Sequence, residues 1–261
     1  MTMQANRHDT SDTAPRITLE ICVETVAGAA AAITGGCDRI ELCAALALGG
    51  LTPSAGLVAA VLDVARPAGV AVRAMVRPQP GGFTYDATTL ALAQREAAAL
   101  VAAGVDGLVF GATREGALDT AALAGVRDAL PATVGMTLHR AIDVVDDPVA
   151  AVDTAVALGF DHILTSGGAA SAPAGAATIA RMVARAAGRC TVMAGAGVAP
   201  GNVAALIAAT GVRAVHGSAS TAAAPASAER IDFGPPPRIT SARVVAQLRQ
   251  VIDDQSNLGQ L

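Results

Sequence analysis

The chain has 261 residues, is 52% hydrophobic and carries a formal net charge of −4. This length and hydrophobic content are sufficient for one domain with a large buried core. Acidic and basic residues are interspersed, and because there is no basic stripe to neutralise phosphates we expect no nucleic-acid partner. Every apolar run ends well short of the ~18 residues that a membrane helix needs, so we predict no membrane-spanning segment.

Lysine does not occur in the sequence, and all 18 of its Lys or Arg residues are arginine. A Schiff-base enzyme and a pyridoxal-phosphate enzyme both need a lysine amine, so the composition excludes both chemistries. Tryptophan is absent and aromatic residues make up only 2% of the chain. Because no aromatic platform is available for a large planar ligand, the composition favours a small polar one.

The ends of the chain differ from its middle in composition. Residues 1–16 are polar and lack the apolar segment of a secretion signal, so we predict a disordered leader and a cytoplasmic protein. A single folded domain is expected over residues 17–254, followed by a C-terminal tail over residues 255–261. Cys37 and Cys190 precede two predicted strands, and we interpret them as buried packing thiols.

Eight short apolar runs rich in β-branched residues recur along the chain, and each ends in a polar or glycine-rich turn. Alanine-rich stretches long enough for a helix separate them. This alternation is typical of parallel sheets, and eight units in about 250 residues predict a single (β/α)8 TIM barrel of the α/β class, with its functional groups at the C-terminal strand ends. The runs cover residues 17–24, 38–43, 71–78, 107–113, 135–143, 162–168, 191–198 and 214–220.

The first two runs each bring a glutamate and a cysteine to one face. Alternation along a strand places Glu20 with Cys22 in the first run, and Glu41 with Cys43 in the second. The apolar residues of the opposite faces are expected to pack against helices. A buried glutamate needs a partner, and Arg77 of the third run is a candidate, either in an ion pair with Glu41 or as an anion-binding group.

Two histidines lie near strand ends, His139 in the fifth run and His216 in the eighth. An imidazole at a barrel mouth is suited to proton transfer near neutral pH. Alternation places Asp143 on the same face as His139, where it would orient the ring. The alternative is that each histidine only satisfies buried polar neighbours.

Glycine-rich turns follow the sixth, seventh and eighth runs. Barrels often bind phosphate with backbone amides in these loops, which makes the turns candidates for an anion site. The alternative is that the glycines only permit tight turns. The loop over residues 78–86 is predicted either as a lid over the mouth or as a passive connector. The candidate anion-binding residues are Ser166, Gly167, Gly195, Gly197, His216, Gly217 and Ser218.

Seven short motifs follow one another at residues 19–23 (LEICV), 38–43 (DRIELC), 49–54 (GGLTPS), 77–78 (RP), 138–143 (LHRAID), 164–167 (LTSG) and 193–197 (MAGAG). In these motifs the chain resembles the CutC family. The resemblance implies a (β/α)8 barrel and a cytoplasmic copper homeostasis protein, in which Cu(I) binding has been proposed for the cysteines matching Cys22 and Cys43. Family members usually read RPRGGDF where this chain has RPQPGGF at residues 77–83, so one arginine and one aspartate are missing from this loop.

Two functional hypotheses follow, and the first is a copper protein. Cys22 and Cys43 would supply soft thiolates, which favour Cu(I) over hard cations. Copper is then the ligand or cofactor that we expect. The alternative is that both thiols only pack in the core.

The second hypothesis is an enzyme of the lyase or isomerase type that acts on a small anionic or phosphorylated metabolite. Glu20 and Glu41 would be acid and base groups with raised pKa values. Arg77 and the glycine-rich turns would hold the anion, while His139, oriented by Asp143, would shuttle a proton. Under either hypothesis, alanines on the outer helices would permit a homo-oligomer.

Overall fold

The computed structural model describes residues 16–223 and 238–258. These described residues form eight parallel strands that alternate with eight helices. The leader expected over residues 1–16 lies outside them apart from Arg16, as do residues 224–237 and residues 259–261 of the expected tail.

The eight strands form one closed parallel barrel in the order β1-β8-β7-β6-β5-β4-β3-β2. The predicted (β/α)8 TIM barrel is therefore confirmed, and each strand lies within one of the eight predicted runs. The strands are β1 (Thr18–Val23), β2 (Arg39–Leu42), β3 (Ala71–Met75), β4 (Gly107–Phe110), β5 (Gly135–Leu138), β6 (His162–Thr165), β7 (Thr191–Ala194) and β8 (Ala214–Gly217).

Helices fill the stretches between the strands, and several begin at a side chain that accepts a hydrogen bond from the first turn. Thr25, Ser54 and Asp86 cap α1, α2 and α3 in this way. None of the helices in the described ranges is long and apolar enough to cross a membrane. The helices are α1 (Val26–Thr34), α2 (Ala55–Ala65), α3 (Ala87–Ala103), α4 (Thr120–Arg127), α5 (Pro148–Ala157), α6 (Ala176–Ala186), α7 (Val203–Thr210) and α8 (Ala242–Leu258).

Two short antiparallel hairpins accompany the barrel. Thr113–Arg114 pairs with Ala117–Leu118 after β4. Ser220–Ala222 pairs with Arg238–Thr240, which brings the chain back beside β8 before α8 begins. The last helix continues to Leu258, four residues beyond residue 254.

The two faces of each strand have different surroundings. Outward-facing residues such as Leu19 and Ile21 of β1 belong to one continuous buried cluster with helix residues such as Val61 and Leu248, which is the packing that the alternation predicts. The barrel interior holds two smaller apolar clusters instead. Their buried members are Cys43, Met75 and Val109 in the first, and Leu164, Met193 and Ala214 in the second.

Ion pairs fill the N-terminal half of the barrel interior. The Arg39 guanidinium pairs with the Glu20 carboxylate, which is wholly buried. The Arg73 guanidinium donates hydrogen bonds to Asp161 at 2.9 Å and to the Thr137 hydroxyl at 2.7 Å. Because ions removed from water need such partners, this end of the barrel is closed by paired charges rather than by an open channel.

Glycine at the start of β4 and β5 makes room for Arg73. A Cβ atom on Gly107 would lie 2.8 Å from the Gly135 carbonyl oxygen and 3.1 Å from Arg73 Cγ. Such contacts force the backbone or the arginine to move.

We therefore expect Gly107→Ala to lower the free energy of unfolding by about 1–3 kcal/mol, the usual cost of overpacking. Gly56→Ala is the matched control because a Cβ on Gly56 in α2 meets no atom within 4 Å, and alanine favours a helix. Urea denaturation of both variants checks this. Equal stability of Gly107→Ala and the wild type would contradict the prediction.

Candidate functional site

A cavity of about 210 Å³ lies at the mouth of the barrel, among the C-terminal strand ends and the loops that follow them. Its position agrees with the general location of sites in (β/α)8 barrels. The lining residues are Cys22, Glu41, Leu46, Gly49, Met75, Arg77, Phe83, His139, Arg140, Leu164 and His216.

A thiol, a carboxylate and an imidazole converge on one wall of this cavity. The potential ligand atoms of Cys22, Glu41 and His216 all lie within 4.8 Å of one another, and all three residues are buried. The register of the barrel explains this, because Cys22 of β1 is the pairing partner of Glu41 on β2. His216 enters from β8, which pairs with the other edge of β1.

Two carboxylates surround the His216 imidazole. Its Nε2 lies 2.9 Å from Glu41 Oε2 and 3.9 Å from Glu20 Oε1. Burial disfavours the imidazolium, but the Glu41 carboxylate and the Cys22 sulfur together outweigh burial and raise the pKa of His216 well above its usual value. His216 was expected to bind an external anion, but its ring is already paired with a carboxylate of the chain.

Glu20 differs from the expected acid or base. Burial opposes its ionisation, yet the Arg39 guanidinium, with smaller contributions from His216 and Arg73, overcomes this effect and lowers the pKa of Glu20 below its usual value. The raised pKa expected for this carboxyl group is therefore wrong, since a charge partner from β2 decides its protonation. Glu41 is the carboxylate that lines the cavity.

Cys43 is placed differently from Cys22. It is wholly buried in the apolar cluster with Met75 and Val109 and does not line the cavity. Burial raises the pKa of the Cys43 thiol well above its usual value, and the Glu41 carboxylate adds to this effect. Of the two expected thiol ligands, only Cys22 reaches the cavity wall.

Arg77 also lines the cavity but does not pair with Glu41, so the ion pair that the sequence left open as an alternative is not formed. Its guanidinium instead donates to three carbonyl oxygens, those of Leu48 at 2.9 Å, Gly50 at 3.0 Å and Gly81 at 2.7 Å. Gly50 has a left-handed φ of +85°, a conformation that glycine adopts without strain. The arginine thus holds two loops together at the mouth.

His139 directly follows β5, and its ring fits beside Gly111, where a Cβ would lie 2.5 Å from the imidazole. Its Nδ1 accepts a hydrogen bond from the Ala141 amide at 3.1 Å. Burial lowers the pKa of His139 to about 3, and the Arg77 charge adds to this effect. His139 is therefore a neutral imidazole, and its ring is held by a backbone amide rather than by Asp143 as expected.

Asp143 has another role because β5 ends at Leu138 and the chain then forms a 3-10 turn, Arg140–Val144. This turn removes Asp143 from the strand alternation on which its expected position rested. The Asp143 carboxylate accepts hydrogen bonds from the amides of Ser166 at 2.9 Å and Gly168 at 3.1 Å, and pairs with Arg140.

The loop after β6 therefore binds an anion that belongs to the chain itself. The Ser166 amide contacts Asp143, and the Gly167 amide donates to the Thr165 hydroxyl at 2.8 Å. These two residues were expected to hold an external anion, but their amides are already engaged. Gly167 has a φ of +72°, and a Cβ there would lie 2.4 Å from the Gly175 carbonyl oxygen, so the tight-turn interpretation applies to it.

The glycines after β7 and β8 also have structural partners. The Gly195 amide donates to the Thr165 carbonyl at 2.9 Å, and a Cβ there would lie 2.4 Å from Leu164 Cδ1.

The other residues of these two turns also have partners within the chain. The Gly197 carbonyl accepts from Asn202, while Gly217 pairs with Ile21 in the barrel. The Ser218 hydroxyl contacts that of Ser220 at 2.9 Å. None of these contacts supports the phosphate site that the sequence suggested.

Phe83 is a site residue that the sequence did not single out. Its ring centroid lies 4.7 Å from that of His139 and 5.3 Å from Arg77 Cζ. The glycine-rich loop over residues 78–86 thus covers part of the cavity, in agreement with its interpretation as a lid. The signal that could have revealed Phe83 is an aromatic residue in that loop of a chain that has only 4 phenylalanines.

The fold and the site together define a (β/α)8 barrel protein with a buried thiol, carboxylate and imidazole cluster at its mouth. The sequence model of the CutC family matches residues 17–221. The chain belongs to the CutC family, and the resemblance noted from its motifs is confirmed.

Relatives and solved structures support this assignment. The chain is 48% identical over 206 residues to a CutC family protein of Caulobacter vibrioides, covering 78% of this chain and 82% of that protein. It is 41% identical over 242 residues to one of Sinorhizobium medicae, covering 91% and 97%. A crystal structure of CutC from Streptococcus agalactiae has a TM-score of 0.74 at 30% identity, covering 77% of this chain and 98% of that one.

His139 should make the stability of the protein depend on pH. The folded state keeps this imidazole neutral down to about pH 3, whereas the unfolded chain takes up a proton near the usual pKa of 6.5. Because the unfolded state then binds more protons, the contribution of His139 is present above pH 6.5 and is lost as the pH falls, by about 1.4 kcal/mol per pH unit.

Urea denaturation of the wild type and of His139→Leu at about pH 7 and about pH 5 measures this contribution, which linkage predicts to be absent from the variant. The variant should lose less unfolding free energy between the two pH values. An equal loss in both proteins would show that another group is responsible.

Proposed function

We propose that this protein takes part in copper homeostasis and binds Cu(I) at the barrel mouth, with Cys22 and His216 as its ligands. The observation that carries the proposal is the convergence of the Cys22 thiol and the His216 imidazole within 4.8 Å in a wall of the mouth cavity. Thiolate and neutral imidazole are both suitable ligands for copper, and the thiolate selects the soft Cu(I) ion. Because the Glu41 carboxylate favours the protonated ring of His216, binding of Cu(I) has to displace that proton.

Membership of the CutC family supports copper as the metal. The Streptococcus agalactiae protein, which is 30% identical to this chain, is a proposed copper homeostasis protein. We propose the same role in copper homeostasis for this chain because Cys22 and His216 supply suitable donor atoms. Glu41 is a harder ligand, and we assign it to holding the His216 ring rather than to the copper ion.

Cys43 is not needed as a ligand in this proposal. Its thiol is wholly buried among apolar side chains and does not line the cavity. This refines the expectation of a pair of thiolates from Cys22 and Cys43. The four free cysteines are consistent with the reducing compartment, the cytoplasm, in which we propose that the protein acts.

Anaerobic competition titration with Cu(I) tests the proposal on the reduced full-length chain. The wild type should bind one Cu(I) ion tightly. Cys22→Ser should weaken binding by at least about 100-fold, because loss of a ligand exceeds the usual effect of changing its supporting residues. His216→Gln should also weaken Cu(I) binding, because it removes the second proposed ligand.

Two further cysteine variants make the test specific. Cys190→Ser is the matched control because this buried thiol lies before β7, at the other end of the barrel, and it should bind as the wild type does. Cys43→Ser should also retain the site. Loss of Cu(I) binding in Cys43→Ser would show that two thiolates, rather than a thiolate and an imidazole, hold the ion. Unchanged Cu(I) binding in Cys22→Ser would overturn the proposal.

A further inference from the structure

Arg77 is a buried cation without a carboxylate partner among the described residues. Its exposure is 5%, similar to that of Arg39, Arg73 and Arg249, each of which pairs with an aspartate or glutamate. The three carbonyl oxygens that Arg77 contacts are dipoles and do not cancel its charge. Its Nε atom has no hydrogen-bond partner in the structure.

His139 presents a second unused donor beside this cation. Its Nδ1 accepts from the Ala141 amide, so the proton of the neutral ring resides on Nε2. The residue is only 3% exposed, and Nε2 has no hydrogen-bond partner. A buried N–H group without an acceptor is costly, and here it belongs to a residue that lines the cavity.

The Phe83 ring lies against both donor residues. It contacts the His139 ring and stands over the Arg77 guanidinium. An aromatic face is a weak substitute for an anion above a cation. Phe83 is itself only partly buried and belongs to the glycine-rich loop over residues 78–86, so it is suited to cover a small ligand bound beneath it.

We infer that the mouth cavity binds a small carboxylate monoanion, whose oxygens accept hydrogen bonds from Arg77 Nε and His139 Nε2. Two donors match the two oxygens of one carboxylate group. The remaining wall provides Leu46, Met75 and Leu164, against which a short apolar chain packs.

The charges around the cavity favour a monoanion over a dianion. Arg77 supplies one uncompensated positive charge, and Arg140 at the rim is already paired with Asp143. Glu41 also lines the cavity but is already paired with His216, so this pair offers no second free positive charge. The cavity of about 210 Å³ has the volume of roughly seven water molecules at ~30 Å³ each, which limits the ligand to a short-chain acid.

This inference does not depend on copper. The two donors lie on Arg77 and His139, whereas the proposed metal ligands are Cys22 and His216. A Cys22→Ser variant should therefore lose Cu(I) and keep the carboxylate, so that failure of one proposal leaves the other intact.

Isothermal titration of the reduced, metal-free full chain with butyrate tests the inference, with butyramide and inorganic phosphate as comparison probes. Butyrate should bind saturably at one site. Butyramide has the same size without the charge, and it should bind at least about tenfold more weakly because charge-assisted hydrogen bonds are lost. Absence of saturable butyrate binding, or equal affinity for phosphate, would overturn the inference.

His139→Leu removes one donor and should weaken butyrate binding about tenfold or more. His162→Leu is the matched control, since His162 begins β6 at the opposite end of the barrel. This variant should bind butyrate with the affinity of the wild type. Arg77→Gln should also lose butyrate, with circular dichroism and thermal unfolding showing that the fold persists. Unchanged affinity in His139→Leu would contradict the assignment of this site.

Discussion

Charged side chains inside a barrel lose their water, and each one has to meet an opposite charge or a set of oriented dipoles. This constraint organises the interior of the present protein. Arg39 neutralises Glu20 and Arg73 binds Asp161 in the lower half of the barrel. With both arginines engaged, Glu41 meets the imidazole of His216 instead. The thiol, carboxylate and imidazole cluster is thus the uppermost part of an ionic network that begins near the opposite end of the barrel.

The same constraint orders the loops at the mouth. The Arg77 guanidinium donates hydrogen bonds to carbonyl groups of two loops. The Asp143 carboxylate accepts hydrogen bonds from amides of the loop after β6. Each of these charges lies at the centre of a set of backbone dipoles, and each fixes the conformation of glycine-rich chain through its hydrogen bonds. The shape of the cavity therefore depends on ions that belong to the protein, in addition to apolar packing.

The two walls of the cavity have different chemistry. One carries the Cys22 thiol and the His216 imidazole, which are suited to a soft metal ion. The other carries a cation and a neutral imidazole beneath Phe83, which are suited to an oxygen anion. Two histidines in one cavity are thus held in opposite protonation states, because His216 faces carboxylates and His139 lies beside an arginine.

The sequence alone determined the barrel and the inward position of Glu20, Cys22, Glu41 and Cys43, because strand alternation is a local property with a period of two. Only the tertiary structure decided which of these groups meet. Barrel closure brings β8 beside β1, so Glu41 meets His216, whereas the sequence offered Arg77 of the neighbouring strand as one possible partner. The early end of β5 moved Asp143 into a turn, where it occupies the amides expected to bind an external anion. Which buried polar side chains pair depends on the register between strands and on the residue at which each strand ends. Both are set by the packing of all eight β/α units together.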